Sequence, residues 1–270
     1  MPELSLLTLN IANPSPERAE RQLGWLVARN EDILVLTETK DSAGCRLLAD
    51  AFSIAGYHVS YPKPDPGDYG VMIVSRVQAR SVDFGDRVGY LPSRAAAVTL
   101  PAPDGPIQVI GVYVPSRDAS VEKTQRKRKW LADCNAALSR LECWQPTIFL
   151  GDLNVVEPGH QPRYKFFAPF EYDFYRQLTD SYGLIDTFRA LHPETIQHSW
   201  VGRTGDGYRY DHVHCSADLA TKLAFCDYLH QPRIDRLSDH SALSVRLGIQ
   251  PSKPLITCAP ATVGAAPMLF

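Results

Sequence analysis

The chain carries almost no net charge: 28 Lys and Arg against 30 Asp and Glu leave −2 over 270 residues. No global positive field therefore advertises nucleic acid, and any basic surface must be local. The six cysteines (Cys45, Cys134, Cys143, Cys215, Cys226 and Cys258) form no Cys-x-x-Cys pair and no Cys/His zinc spacing, so reduced, mostly buried thiols are expected. No apolar run nears the roughly 20 residues that span a bilayer, so no membrane partner is expected. The first residues lead into an alternating strand rather than a secretory leader, and a cytoplasmic location is expected. Internal repeats and low-complexity tracts are missing as well. What remains is 44% apolar and 21% charged residues, material for a sizeable core in one large domain or two small ones.

Alternation and turn residues organise that material. Leu4 to Ile11 reads as a strand, and Ser15-Pro16-Glu17 opens a helix whose buried stripe is Ala19, Leu23, Leu26 and Val27. Ile33 to Leu36 is a fully apolar strand with Glu38 at its end. A helix from about Ala43 to Ala55 leads to a strand at Tyr57 to Tyr61 and a Pro/Gly/Asp-rich turn at Pro62 to Tyr69. Val71 to Val74, Val82 to Phe84, Ala95 to Leu100 and Ile107 to Val114 follow with no helix between them, which predicts antiparallel meanders and a mixed sheet. Tyr113 sits at the end of the last.

Ser120 to Leu141 is the longest helical pattern. Trp130, Cys134, Ala137, Leu138 and Leu141 share one stripe, with Lys123, Arg126 and Lys127 on the same side one to two turns earlier. Three cations cannot all be core, so they should overhang the rim where Tyr113 emerges. The apolar run Thr147 to Leu150 predicts a buried strand, at whose end Gly151 turns the chain and presents Asp152 and Asn154, two residues apart and pointing the same way. A loop rich in aromatic and basic residues (Val155 to Phe170, with Arg163 at its centre) precedes a helix from about Glu171 to Ser181. Ser199-Trp200, Asp211 to Cys215, Phe225 to Leu229 and Ser241 to Leu247 are further strands. From Gly248 the composition shifts to Pro, Ala, Thr and Gly, so a domain over 1–248 and a weakly ordered tail over 249–270 are expected.

Polar residues recur at strand ends: Asn10, Glu38, Tyr113, Asp152, Asn154, Asp211, and the pair Asp239-His240. Strand ends are where α/β-type domains build sites. A lone Gly-Asp after a strand is ordinarily a turn, and the joint placement is what carries weight. The runs Leu9-Asn10-Ile11, Glu38-Thr39-Lys40, Tyr69-Gly70-Val71, Gly151-Asp152-Leu153-Asn154, Gly183-Leu184-Ile185-Asp186-Thr187-Phe188-Arg189, Tyr208-Arg209-Tyr210-Asp211 and Ser238-Asp239-His240 resemble, in order, the motifs of the endonuclease/exonuclease/phosphatase superfamily. The closest resemblance is to its exonuclease III and AP endonuclease branch, and it extends from about Leu4 to Leu247.

That resemblance implies a mixed α/β (α+β) fold of the DNase I-like kind, a four-layered α/β/β/α sandwich of two mixed sheets flanked by helices, and metal-dependent cleavage of phosphoester bonds. Carried over residue by residue, Glu38 is the principal Mg²⁺ ligand (Mn²⁺ as its substitute), with Asn10 and Asp239 available to the metal. Asp152 orients or deprotonates the attacking water, Asn154 and Tyr113 hold the phosphate, and His240, oriented by Asp211, donates to a phosphate oxygen. Hard oxygen donors suit Mg²⁺, and a carboxylate behind a histidine favours the imidazolium, so the chemistry asks for these types independently. Substrate contacts are expected from Lys123, Arg126, Lys127, Arg163, Tyr208 and Arg209, and the expected partner is double-stranded DNA cut by a monomeric repair nuclease. Departures fall on the substrate-reading parts: Ala12-Asn13-Pro14 replaces the branch's Asn-Gly-basic run, Thr37 stands for its Gln, and Tyr208 and Tyr210-Asp211-His212 replace a Trp and an aliphatic-Asp-aromatic setting. Two alternatives stay open, a same-fold phosphohydrolase for RNA, a nucleotide or a small phosphoester, and a non-catalytic binding protein.

Overall fold

The structure is a computed structural model that describes residues 3–141 and 146–261. In chain order the strands are β1 (Leu4–Asn10), β2 (Ile33–Thr39), β3 (His58–Ser60), β4 (Gly70–Ser75), β5 (Arg80–Val82), β6 (Ala95–Leu100), β7 (Ile107–Tyr113), β8 (Thr147–Asp152), β9 (Leu184–Asp186), β10 (Trp200–Val201), β11 (Gly207–Tyr208), β12 (Asp211–Ser216), β13 (Leu223–Leu229) and β14 (Ala242–Leu247). The longer helices are α1 (Pro16–Val27), α2 (Ala43–Ile54), α3 (Val121–Leu138) and α4 (Pro169–Asp180). Among the described residues these strands build two six-stranded sheets, ordered β13-β14-β1-β2-β4-β3 and β5-β6-β7-β8-β12-β9, with β10-β11 as a separate ribbon.

Each sheet is mixed for the same reason. Among the described residues its only parallel pair, β1 with β2 in one sheet and β7 with β8 in the other, is joined by a long helix, α1 or α3. A parallel pair needs such a crossover, whereas the remaining neighbours are antiparallel. Strand alternation then sets the layers. Leu6, Ile33, Val35, Val71, Val109, Ile148 and Leu150 meet between the sheets. Leu7, Leu9, Leu34 and Leu36, on the opposite pleats, pack under α1 and α2 against Leu23, Leu48 and Phe52. Ile110, Val112 and Phe149 do the same under α3 and α4 against Trp130, Leu131, Phe174 and Leu178. Four layers result, helix, sheet, sheet, helix, as the resemblance implied. Gly111 lies between the sheets where a Cβ would come within 2.6 Å of Val35 Cγ1, so only a glycine lets the two central pairs close up here.

Four expectations change. The run Val71 to Val114 is not one meander: β4 joins the first sheet while β5, β6 and β7 form a meander in the second, and Phe84 opens a short helix (Phe84–Val88) instead of ending a strand. Gly151 does not turn the chain. It lies inside β8 at φ 142°, where a Cβ would sit 2.0 Å from the Val112 carbonyl oxygen of β7, so glycine is required for backbone reasons and β8 runs straight into Asp152. Glu38 is not beyond its strand but within it. Finally, residues 249–261 lie against the domain: Lys253 and Leu255 exchange backbone hydrogen bonds with Gln78 and Arg76, Cys258 N donates to Ala55 O, and the buried Ser252 donates to Pro101 O at 2.5 Å. The Arg76 carbonyl and the Gln78 N–H, just after β4, supply the pairing that composition does not show. Cys143 and residues 262–270 lie outside the described residues.

Candidate active site

The two parallel pairs point the same way, and their C-terminal ends meet at one rim. Asn10 ends β1, Tyr113 ends β7, Asp152 ends β8 and Asp211 begins β12. Register places Tyr113, Asp152 and Asp211 side by side across three neighbouring strands. Glu38 arrives by a different device. Thr37 pairs with Val71 and Thr39 with Gly70, so Glu38 is the extra residue of a bulge, at φ 58°. A bulge re-aims a side chain, and here Asn13 N donating to Glu38 O at 3.0 Å holds the bulge against the loop after β1.

These residues share one hydrogen-bonded system. The Asn10 amide nitrogen donates to Glu38 Oε2 and to Asp152 Oδ2, both at 2.9 Å, while its oxygen accepts from Ala12 N. Asn10 therefore ties two carboxylates together, and any metal would share an oxygen already engaged by Ala12. The Asn154 backbone N–H donates to Asp152 Oδ1 at 2.9 Å, and the Asn154 side chain donates to Val114 O. Asp211 Oδ2 accepts from His240 Nδ1 at 2.7 Å, and its other oxygen is buried with no protein partner. Ligand atoms of Asp152, Asp211 and His240 all lie within 4.8 Å of one another.

Electrostatics follow from this crowding. Burial and the Asp211 charge push the Asp152 carboxyl up to about 7, against His240 and the Asn10 and Asn154 donors. Burial works against the His240 charge, yet the Asp211 pair, with Asp152 and Asp239, raises it to about 10. Burial, then the charges of Glu38 and Asp152, keep the Tyr113 hydroxyl protonated well above its ordinary value. Among the described residues no Lys or Arg pairs with Glu38, Asp152 or Asp239, although all three line one cleft of about 390 Å³. Carboxylates in one cleft with no Lys or Arg partner are donors of the kind a hard divalent cation takes, and of these three Asp152 alone belongs to the close group with Asp211 and His240.

The remaining expected contacts separate. Asp239 is exposed at the rim and accepts from Trp200 Nε1 at 3.0 Å. Lys123 is exposed and paired with Asp118, Arg126 is 3.7 Å from Asp68, and Arg163 is exposed on the aromatic loop. Lys127 does not overhang the rim. It is buried, donating to Glu171 Oε1 at 2.6 Å and to Asn154 O at 2.5 Å, so it reaches the cleft only as a support beneath Asn154. Arg209 is likewise no surface contact: it is fully buried between Glu157 and Asp186, with Tyr175 beside it. Tyr208 is half-buried, its ring stacked between Tyr164 at 4.4 Å and Tyr210 at 5.0 Å.

Sequence reasoning missed Tyr69, Arg117, Trp200 and Tyr210 as cleft-lining residues. Signals were present for two of them: Tyr69 opens one of the motif runs, and Tyr208 and Tyr210 are two apart in extended chain and so share a face. Nothing marked Arg117, which reaches Glu171 from a loop at 2.6 Å and stacks over Phe166 at 4.2 Å.

Comparison with known proteins agrees with this geometry. Residues 7–240 match the model of the Endonuclease/Exonuclease/phosphatase family. A DNA-(apurinic or apyrimidinic site) endonuclease from Dictyostelium discoideum is 23% identical over 158 residues, 57% of this chain and 42% of that protein, so the match spans less than half of the relative's length. Among solved structures, an AP endonuclease from Archaeoglobus fulgidus superposes with a TM-score of 0.79 at 24% identity, covering 91% of this chain and 100% of that one. A 3′ phosphatase from Neisseria bound to product DNA hairpin gives 0.76 at 24% identity, over 90% and 99% of the two chains. With the family match covering most of the sheet framework and every strand-end carboxylate in place, the chain belongs to the endonuclease/exonuclease/phosphatase family.

Proposed function

We propose that the protein is a Mg²⁺-dependent phosphodiesterase of the exonuclease III and AP endonuclease type, hydrolysing DNA at abasic sites or 3′ ends. One observation carries the reading. Asp152 is buried at the end of β8 with both oxygens oriented by amides, one strand away from the Asp211-His240 pair. That is a base and an acid clustered at one end of a small cleft, within reach of the same phosphate.

Glu38 would hold the ion, with Asp239 and the Asn10 oxygen near it, and a bound divalent cation supplies charge neutralisation at the phosphate and the leaving oxygen. Asp152 takes the proton of the attacking water as the water oxygen bonds to phosphorus and the bond to the leaving oxygen breaks. His240, held through Nδ1 by Asp211, presents its other nitrogen as a charged donor to a phosphate oxygen. Tyr113, kept protonated, donates from the neighbouring strand, and Asn154 fixes Asp152 through its backbone amide.

The relatives, two AP endonucleases and a 3′ phosphatase bound to DNA, support this substrate class. A second reading, an enzyme of the same fold acting on RNA, a nucleotide or a small phosphoester, is favoured by the burial of Lys127 and Arg209, which removes two cations from the duplex-contacting surface. A panel of abasic duplex, single-stranded DNA, RNA and a simple phosphomonoester, each with Mg²⁺ or with EDTA, separates the two. We expect Mg²⁺-dependent cleavage of the abasic duplex, lost in EDTA, and a loss of about 10²–10⁴-fold in Asp152→Asn and in Glu38→Ala with the folded protein retained. Full activity in either variant, or no turnover of any nucleic acid, sinks the reading.

A further inference from the structure

Beside the carboxylates, the cleft is walled by aromatic rings: Trp200, Tyr210, Phe166 and Phe167. The wall is backed from behind. Tyr208 lies parallel to Tyr210 (7° between planes, 5.0 Å between centroids) and Tyr164 stacks on Tyr208 in turn at 4.4 Å. Phe167 meets Tyr210 edge-on at 6.3 Å, and Trp200 is pinned by its indole N–H to Asp239. The Phe166 end is fixed too, since Arg117 holds the Phe166 carbonyl at 2.7 Å while paired with the buried Glu171. A wall whose rings are ordered before anything binds costs little to use.

Such a surface suits one kind of group. A bare sugar or a small phosphoester offers mostly polar atoms and gains little from four aromatic rings. A nucleobase offers a flat π-face of matching size, and base-aromatic stacking is the general means of holding unpaired bases whatever their sequence. A base still paired in a duplex has both faces covered by its neighbours and cannot present one.

We propose that this wall is a nucleobase subsite: the nucleotide adjoining the cleaved phosphate enters unpaired, with its base against Trp200 and Tyr210, so that single-stranded or frayed 3′ ends are preferred over abasic sites. The proposal rests on the phosphodiesterase reading above and narrows it.

The test measures binding in EDTA by fluorescence anisotropy. It compares a duplex with one unpaired 3′ nucleotide with the same duplex carrying a stable abasic analogue at that position, for wild type, Tyr210→Leu and Tyr210→Phe. Wild type should bind the unpaired nucleotide about tenfold more tightly, Tyr210→Phe should keep that ratio, and Tyr210→Leu should bring it close to one. A 2-aminopurine at the unpaired position should be quenched on binding wild type and Tyr210→Phe, and less so on binding Tyr210→Leu, which checks stacking independently of affinity. Equal binding of the two duplexes by wild type, or an unchanged ratio in Tyr210→Leu, overturns the subsite and leaves the phosphodiesterase reading intact. Failure of wild type to cleave any nucleic acid in Mg²⁺ overturns that reading, and the subsite with it.

Discussion

Two residues set the pH behaviour of the site, and both titrate upward of their ordinary values. Asp152 goes from 3.8 to about 7 and His240 from 6.5 to about 10. With Asp152 proposed as the base, needing its carboxylate, and His240 proposed as the donor, needing its imidazolium, the working window would run between those values. Cleavage is expected to rise through about pH 7, stay level, and fall towards pH 10, with a bound cation drawing the acid limb lower. Linkage gives a second readout. A group whose folded pKa is raised contributes stability that is complete below its unfolded value and is lost as the pH climbs to the folded one. For Asp152 that loss falls between pH 3.8 and about 7. Asp152→Asn cannot suffer it, so in metal-free protein the variant should gain roughly 1–3 kcal/mol on wild type between pH 4 and pH 8, measured by urea unfolding at each pH. An equal effect at both pH values would contradict the assigned shift.

At the scale of elements, the support under the site is the contact of α3 with α4. Lys127 on α3 and Glu171 in the first turn of α4 are both buried, and burial lowers the Lys127 pKa against the pull of Glu171. Removing one partner of such a pair strands the other. Lys127→Met is expected to cost about 3 kcal/mol in urea unfolding and to weaken cleavage as well, because Asn154, at φ 48°, loses the ammonium on its carbonyl. A loss of stability with cleavage per folded molecule unchanged would separate Lys127 from the site. The helix itself was legible: its 3.6-residue period put Trp130, Cys134 and the cations on one side. That Lys127 turns inward was not, because the reason is a carboxylate 44 residues further along the chain. Arg209 repeats the lesson, since its partners Glu157 and Asp186 are remote in sequence, whereas Asp152, Glu38 and His240 ended or adjoined apolar runs and could be read locally. The bulge at Glu38 was invisible for the same reason as the Arg117 contact, each being fixed by a neighbour rather than by its own flanking residues.

For the whole molecule the charge balance becomes a statement about salt. Of the cations expected to touch DNA, Lys127 and Arg209 are buried in ion pairs, leaving Lys123, Arg126 and Arg163. Each phosphate contact contributes about −0.9 to the slope of log K against log salt, so three give about −3. Anisotropy titrations with duplex over about 50 to 200 mM salt are expected to give that value or a shallower one, and a slope beyond about −6 would require phosphate contacts on another face. Motif order had foretold the architecture because Asn10, Glu38, Tyr113 and Asp152 lie at the ends of the strands that the two βαβ crossovers join, and Asp211 pairs with Asp152 in register. The end of the domain was foretold less well, since the pairing of Lys253 and Leu255 with Gln78 and Arg76 uses backbone groups that any composition supplies.

The row of Tyr113, Asp152 and Asp211 across β7, β8 and β12 behaves as a ruler with its zero at the far end of the strands. Its divisions are the strand spacing, about 4.8 Å, and no loop sets them. One residue added between Thr147 and Asp152 would turn Asp152 to the opposite face and erase a mark. The hairpin that joins β6 to β7 at Pro103-Asp104-Gly105 lies at the other end of β7 from Tyr113, so residues inserted there leave every division where it was. That hairpin is the natural place to graft a tether, a label or a second domain onto this enzyme fold.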